Sequence, residues 1–152
     1  MVYDFPDGIF AVDAVYNRRH CHSAIHVLVE GGMAAIIDTG TNYSIPMLLE
    51  VLRQKGIAPE QLAYVIVTHV HLDHAGGAGE AMRCFPNAKL VVHPRGARHM
   101  IDPSKLVAGT VAVYGEAAMR AIYGEILPVE AARVIEAGDG VGDPAAEREV
   151  RP

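Results

Sequence analysis

The sequence predicts an α/β fold, a mixed sheet flanked by helices, and three observations support this class. Short apolar runs of strand length alternate with segments whose apolar residues recur at helical spacing. The length of 152 residues suits one domain with a substantial core. Hydrophobic residues make up 51% of the chain and charged residues 20%, a balance that indicates a globular protein and excludes wholesale disorder.

The first half of the chain carries signals for three strands and a helix. Residues 9–15 alternate loosely between apolar and polar side chains, which suits a strand. Two apolar runs, 24–29 and 33–38, flank a turn that contains two glycines and therefore predict a β-hairpin. Apolar residues at helical spacing predict a helix over 45–55, with Ser44 as its N-terminal cap.

The second half of the chain alternates short strands with helices. Residues 63–67 form a continuous apolar run rich in β-branched residues, which is typical of a strand buried on both faces. The later elements are expected in the order helix 75–84, strand 89–93, helix 94–100, loop 101–110, helix 111–124 broken near Gly115, and strand 134–135. The composition changes at Gly138, so residues 1–137 are expected to form the domain and residues 138–152 a loose or disordered tail.

Composition also restricts the classes of binding partner and the cellular compartment that we expect for this protein. The formal net charge is -5, and broad nucleic-acid binding needs a basic surface, so we expect no nucleic-acid partner. No apolar run approaches the roughly 18 residues of a membrane span, and the N-terminus lacks the pattern of a secretory signal. Two cysteines, Cys21 and Cys84, are too few for a disulfide framework. We therefore expect a cytoplasmic protein with no membrane partner.

Four potential metal ligands follow directly after the strand at 63–67. In an extended chain, residues two apart point the same way, so His69 and His71 can share one metal ion. The chain is then expected to turn into a helix, which can bring Asp73 and His74 towards a second ion. Imidazole nitrogens and a carboxylate suit zinc or iron. The spacing therefore predicts a metal centre at the end of this strand.

The segment THVHLDHAGG at 68–77 resembles the signature of the metallo-β-lactamase superfamily, and IIDTG at 36–40 resembles the family's upstream motif. The resemblance implies an αββα sandwich, of which this chain would form the N-terminal portion. It implies that His69 and His71 bind one metal ion, and that Asp73 and His74 bind the other. It further implies that Asp38 steadies the motif loop through hydrogen bonds.

The resemblance implies a hydrolase that uses a metal-bound hydroxide on an ester, thioester, lactone or similar bond of a small-molecule substrate. Asp73 would be the catalytic residue, because it would bind metal and orient the attacking group. The cofactor would be Zn²⁺, two ions in a complete site, with iron as the alternative metal. Two alternative functions remain: a mononuclear-iron sulfur dioxygenase, and a truncated, non-catalytic fragment that acts as a binding or assembly module.

The chain departs from the family pattern downstream of the motif. Family members add a His in a T-P-G-H-like segment, a bridging Asp and a final His, whereas no His follows His99 in this sequence. Residues 1–137 are therefore expected to form an incomplete domain, with the first metal short of its usual three protein ligands. The inner face of the sheet would lack cover, so we expect a homo-oligomer or a missing C-terminal half as partner.

Other chemically active residues have simpler interpretations. The group His20, Cys21, His22 and His26 lacks a standard zinc spacing, so a structural or pocket-rim role is favoured.

Two later histidines and a group of aromatic residues are interpreted in the same way. His93 and His99 are expected at a strand end and on a surface helix, although either could complete a metal site. Tyr114, Met119 and Tyr123 lie near helical spacing and are interpreted as core or pocket lining.

Overall fold

A computed structural model describes residues 1–138, and within them seven strands form one mixed sheet. The strands lie in the sheet in the same order as in the chain. Strands β1 to β4 are antiparallel, and β4 to β7 are parallel. Their bounds are β1 Val2–Asp4, β2 Ile9–Asp13, β3 Ala24–Glu30, β4 Met33–Ile37, β5 Leu62–Ile66, β6 Lys89–Val92 and β7 Val134–Glu136. The mixed sheet with helices confirms the predicted fold class. Of the tail predicted over 138–152, residues 139–152 lie outside the described residues.

Helices make the crossovers that parallel strands require. Their bounds are α1 Ser44–Gln54, α2 Leu72–Ala75, α3 Ala78–Cys84, α4 Pro94–Ile101, α5 Ser104–Tyr114 and α6 Glu116–Tyr123. Because β4, β5 and β6 are parallel, their carboxyl ends lie at one edge of the sheet. The segments after these strands therefore meet at that edge. No helix in residues 1–138 is long and apolar enough to cross a membrane.

One face of the sheet holds the main core. Every second residue of a strand points to this face. Examples that are fully buried there are Val12 of β2, Ile25 of β3 and Ile36 of β4. Helix α1 packs against them with Leu48 and Leu52, and α3 and α4 contribute to the same cluster. The antiparallel pairing of β3 with β4, from His26 opposite Ile37 to Glu30 opposite Met33, confirms the hairpin at 24–29 and 33–38. The alternating burial along both strands is what a core on one face requires.

The opposite face carries a row of residues that pair side by side across five strands. We refer to this row as the open face, defined by His26, Ile37, Ile66, Val91 and Ile135. His26 is exposed and the four aliphatic residues are only partly buried. The expectation that the strand at 63–67 is buried on both faces is therefore wrong for the described residues. Its β-branched composition reflects an apolar second face that helices α1, α3 and α4 do not cover.

The first turn of α1 departs from its predicted form. Ser44 is not the N-terminal cap: the cap position is Tyr43, and no side chain bonds there. The Ser44 hydroxyl is buried, donates to the carbonyl oxygen of Ala14 at 2.7 Å and accepts from the Thr41 amide at 3.1 Å. Ser44 thus ties the helix start to the end of β2, a long-range contact that local sequence does not reveal.

Two further expectations require correction, and one strand has no counterpart in the sequence prediction. The predicted loop at 101–110 is wrong, because α5 begins at Ser104 after an Asp102 carboxylate accepts from the Ser104 amide at 3.1 Å. The helix expected over 75–84 is divided into α2 and α3. The edge strand β1 lacks a local signal and forms by pairing with β2. The predicted break near Gly115 is confirmed, since this residue adopts φ 79° between α5 and α6.

Candidate metal centre

The histidine motif lies where two parallel strands end side by side. Strand β5 leads into Thr68 and the motif, and β4 leads into Asp38. The Asp38 amide still donates to the Ile66 carbonyl at 2.7 Å, but its φ of 59° then turns the chain out of the sheet. This left-handed conformation, which Asp tolerates better than most residues, brings the carboxylate to the motif.

Asp38 is a nearly buried carboxylate that holds the motif at two points. It accepts hydrogen bonds from the amide and the hydroxyl of Thr68, each at 2.9 Å. Its Oδ2 atom also accepts from Nδ1 of His74 at 2.9 Å. Since a carboxylate only accepts, the proton of the neutral His74 ring lies on Nδ1 and leaves Nε2 free to bind a metal.

Thr39 holds His74 from the backbone side. The Thr39 amide donates to the His74 carbonyl at 2.7 Å, and the buried Thr39 hydroxyl donates to the same oxygen at 3.0 Å. Together with Asp38, this residue fixes both the ring and the main chain of His74. The upstream motif at 36–40 is therefore physically joined to the histidine motif.

Three imidazole rings are gathered within this segment. The ring centroids of His69 and His71 are 4.7 Å apart, and those of His69 and His74 are 4.3 Å apart. Oδ2 of Asp73 lies 3.4 Å from Nε2 of His74. The Thr68 hydroxyl lies 3.0 Å from Nδ1 of His69. His69 and His71 are exposed, so the donor atoms are accessible from solvent.

The donor set suits a divalent metal, but it does not form a closed cage. Imidazole and carboxylate are the ligands that zinc and non-haem iron take in proteins. Among residues 1–138, however, no three His, Cys, Asp or Glu side chains are arranged as a ready metal-binding group. Four donors are also fewer than two catalytic ions need, because such sites usually take three protein ligands per ion. The segment therefore offers donors for a metal ion without completing a site for one.

Gly77 permits the close approach of the motif to the upstream loop. Its amide donates to the Gly40 carbonyl at 2.9 Å. A Cβ atom on Gly77 would lie 2.7 Å from the Thr41 carbonyl oxygen and 3.0 Å from a methyl carbon of Ile45. A side chain at this position would separate the two segments that form the candidate centre.

A cavity of about 370 Å³ adjoins the candidate centre. His71 and Asp73 form part of its wall, and Tyr16, Tyr114 and Tyr123 form another part. The hydroxyls of Tyr16 and Tyr123 lie 3.0 Å apart. Burial raises the pKa of Tyr123, and the hydrogen bond with Tyr16 raises it further, so its hydroxyl stays protonated at neutral pH. We refer to this cavity as the tyrosine pocket.

Part of the tyrosine pocket is predictable from the sequence. The helical spacing of Tyr114 and Tyr123 predicts core or pocket lining, and both residues line the pocket. Tyr16 was missed, because it lies in the loop after β2 and meets Tyr123 across 107 positions of sequence. Leu106 and Thr110 also line the pocket, and the sequence did not identify them. Their spacing of four places them on one face of α5, but the sequence predicted a loop over these residues.

Two of the remaining histidines bond to residues outside the motif, and a third lies on the open face. Nδ1 of His20 pairs with the buried Asp13 carboxylate at 2.8 Å, which is the structural role that was favoured. His26 is on the open face. Nδ1 of His93 accepts from the Arg95 amide at 3.1 Å and caps α4.

Comparison with known proteins identifies the family. The family model described as the metallo-beta-lactamase superfamily matches residues 18–150. This chain therefore belongs to the metallo-β-lactamase superfamily.

Individual relatives are similar over part of their length. A metallo-beta-lactamase domain-containing protein 1 from Xenopus laevis is 34% identical over 65 residues, covering 43% of this chain and 26% of that protein. The N-acyl homoserine lactonase AttM of Azorhizobium caulinodans is 28% identical over 102 residues, covering 58% of this chain and 37% of that protein.

Solved structures share the fold. A subclass B3 metallo-beta-lactamase, MEM-A1 from a soil metagenome library, aligns with a TM-score of 0.68 and 22% identity. The alignment covers 92% of this chain and 47% of that chain. This chain thus spans about half the length of that structure and a smaller share of the curated relatives.

Proposed function

We propose that this chain supplies the metal-binding portion of a hydrolase that cleaves an ester, thioester or lactone bond in a small molecule. The main support for this proposal is that three imidazole rings lie together at the carboxyl edge of parallel strands, with centroid distances of 4.3 and 4.7 Å. His69 and His71 would hold one ion, and Asp73 and His74 the other. Among the curated relatives are N-acyl homoserine lactonases, which supports a carbonyl substrate.

Zinc, or iron in its place, would supply an activated water and neutralise charge that develops on the substrate oxygen. The protein residues prepare for this chemistry. Asp38 keeps the His74 proton on Nδ1, so that Nε2, which lies 3.4 Å from Oδ2 of Asp73, keeps a lone pair for a metal ion. Asp73 is the catalytic residue in this proposal, because its partly exposed carboxylate can orient the attacking water.

Four donors leave a binuclear centre incomplete, so we propose that further ligands come from a segment other than residues 1–138. A C-terminal half or a second copy of this chain would supply them. Either would also cover the apolar open face. The lengths support this idea, since the aligned B3 structure is about twice as long as its match to this chain.

The experiment is a measurement of bound metal. The full chain is purified without added metal, and zinc and iron per chain are measured by elemental analysis. We expect bound zinc or iron that is lost in His71→Ala and retained in the control His20→Ala, whose exposed ring pairs with Asp13 outside the motif and outside the open face. Near-zero metal in the unaltered chain, even after addition of zinc, would contradict the proposal.

A further inference from the structure

We propose that the Thr68 hydroxyl is a relay through which Asp38 sets the position of the ring proton on His69. The inference rests on the proposed role of His69 and His74 as metal ligands, since a ring nitrogen binds a metal ion only where it carries a lone pair. Asp38 bonds to the His74 ring directly, and the Thr68 hydroxyl joins it to the His69 ring. Thr68 is then a positioning residue, which acts through the ligands.

The direction of the bond between Thr68 and Asp38 follows from the chemistry of the two groups. The Thr68 hydroxyl oxygen lies 2.9 Å from each carboxylate oxygen of Asp38. Each of these oxygens also accepts from an N–H group, Oδ1 from the Thr68 amide and Oδ2 from Nδ1 of His74, both at 2.9 Å. Because a carboxylate only accepts, the single hydrogen of the hydroxyl points to Asp38.

The bond between Thr68 and His69 therefore runs in the opposite direction. The hydroxyl donates its hydrogen to Asp38, so its oxygen can only accept from Nδ1 of His69, which lies 3.0 Å away. Nδ1 of His69 then carries the proton of the neutral ring, and Nε2 keeps a lone pair for a metal ion. The relay gives His69 the same tautomer that Asp38 gives His74 directly.

The two rings belong to the two halves of the proposed ligand set. Their centroids lie 4.3 Å apart, and His69 would hold one ion and His74 the other. One carboxylate thus prepares a donor nitrogen for each ion. The His71 ring differs, because within residues 1–138 no hydroxyl or carboxylate bonds to it, and it meets His69 edge-on. His71 is therefore an internal reference whose proton position the relay does not set.

Nitrogen NMR measures the proton position in each ring without any metal. The full chain is isotope-labelled, stripped of metal with a chelator and studied at about pH 8.5, where imidazole is neutral. His69→Gln, His71→Gln and His74→Gln assign the ring signals. We expect His69 and His74 to be protonated on Nδ1 and unprotonated on Nε2. A His69 ring that is protonated mainly on Nε2 would overturn the relay.

Thr68→Val removes the hydroxyl with little change of shape, and Thr68→Ser is the matched control that keeps it. In Thr68→Val, the ratio of Nδ1-protonated to Nε2-protonated His69 should fall about two- to tenfold, the effect of one ordinary hydrogen bond. His74 should keep its tautomer because its bond to Asp38 remains. Equal ratios in the two Thr68 variants, or equal changes at His69 and His74, would overturn the proposal.

Asp38→Ala separates a relay from local packing. It frees the Thr68 hydroxyl to donate to Nδ1 of His69, so the His69 proton should move towards Nε2 although Asp38 bonds to Thr68 and not to that ring. In a Thr68→Val background, Asp38→Ala should cause no further change at His69. Unchanged His69 signals in Asp38→Ala, or additive effects in the double variant, would overturn the relay. The Thr68 variants test it if Asp38→Ala does not fold.

Zinc titration measures what the relay contributes to metal binding. Thr68→Val should weaken zinc binding about tenfold, and Thr68→Ser should not. Equal zinc affinity of the two variants would overturn the positioning role. The NMR and metal measurements fail independently. Metal binding by a chain whose free His69 ring is protonated on Nε2 would overturn the relay and leave the proposed hydrolase intact, whereas the expected tautomers in a chain that takes no metal would contradict the hydrolase alone.

Discussion

Asp38 connects two segments that are 30 positions apart in the chain. Its carboxylate accepts from the amide and hydroxyl of Thr68 and from the ring of His74. These bonds orient the motif before any metal is present. A single nearly buried residue therefore holds both the start of the motif, at Thr68, and the ring of the candidate ligand His74.

Replacement of Asp38 tests this positioning role. Asp38→Ala leaves Thr68 and His74 without their acceptor, so zinc affinity should fall about 10- to 100-fold. The free energy of unfolding should fall by about 1–3 kcal/mol. Calorimetric zinc titration and urea denaturation measure the two effects. The control is Asp4→Ala, an exposed carboxylate paired with Lys55, and equal behaviour of the two variants would refute the role.

Asp13 makes folding stability depend on pH. Burial by itself raises the pKa of this carboxyl, but hydrogen bonds from the Val15 amide, His20 and the Cys21 amide outweigh burial and lower it. A depressed folded pKa stabilises the fold above the unfolded pKa of about 3.9. This contribution is lost as pH falls through the folded pKa.

Asp13→Asn should therefore be less stable than the unaltered chain at pH 7, by about 1–3 kcal/mol. The difference should shrink as the pH falls below about 4, because the unaltered carboxyl then becomes neutral as well. Melting temperatures of both proteins from pH 7 to acid conditions provide the measurement. A difference that stays constant with pH would exclude the carboxylate as its source.

At the scale of elements, the histidine motif contacts the loop after β4, and this contact requires the two backbones to lie close together. Gly77→Ala would place a Cβ atom 2.7 Å from the Thr41 carbonyl oxygen. We expect a loss of about 1–3 kcal/mol in the free energy of unfolding, together with weaker zinc binding because the motif moves away from Asp38.

Gly109→Ala is the matched control for Gly77→Ala. This glycine lies within α5, and a Cβ atom there would meet nothing within 4 Å. Alanine favours a helix interior over glycine, so stability should rise by about 0.5–1 kcal/mol. Denaturation curves measure the free energy of unfolding of both variants. A Gly77→Ala protein as stable as the unaltered chain would show that the close contact is unimportant.

At the scale of the whole molecule, the open face determines how the chain behaves in solution. Ile37, Ile66, Val91 and Ile135 form a contiguous apolar row that is only partly buried. Such a surface promotes association. In the absence of another partner, we expect the chain to bind a second copy through this face.

Sedimentation velocity at micromolar concentration tests the association. The unaltered chain should sediment faster than a compact monomer, and Ile66→Lys should raise the monomer fraction by placing a charge in the row. Val113→Lys, which alters an exposed valine of α5 instead, should not. A stable, compact monomer of the unaltered chain would contradict the expected self-association.

Several elements were predictable because their signals are local. The hairpin of β3 and β4 follows from alternation around a glycine turn, and the break at Gly115 follows from its conformational freedom. Helix α5 was not predictable in the same way. The sequence at 102–104 resembles a loop. In the structure the helix nevertheless begins at Ser104, whose amide donates to the Asp102 carboxylate.

The sequence by itself determined the fold class and the candidate ligand set. Both depend on short-range order: the period of apolar residues, and four donors within the six positions from His69 to His74. Tertiary structure alone decided three other features. It brought Tyr16 to Tyr123, placed Ser44 beneath the end of β2, and left the row through Ile66 partly exposed. The reason is physical, because these features arise from packing between distant segments, and local periodicity carries no information about which distant surfaces meet.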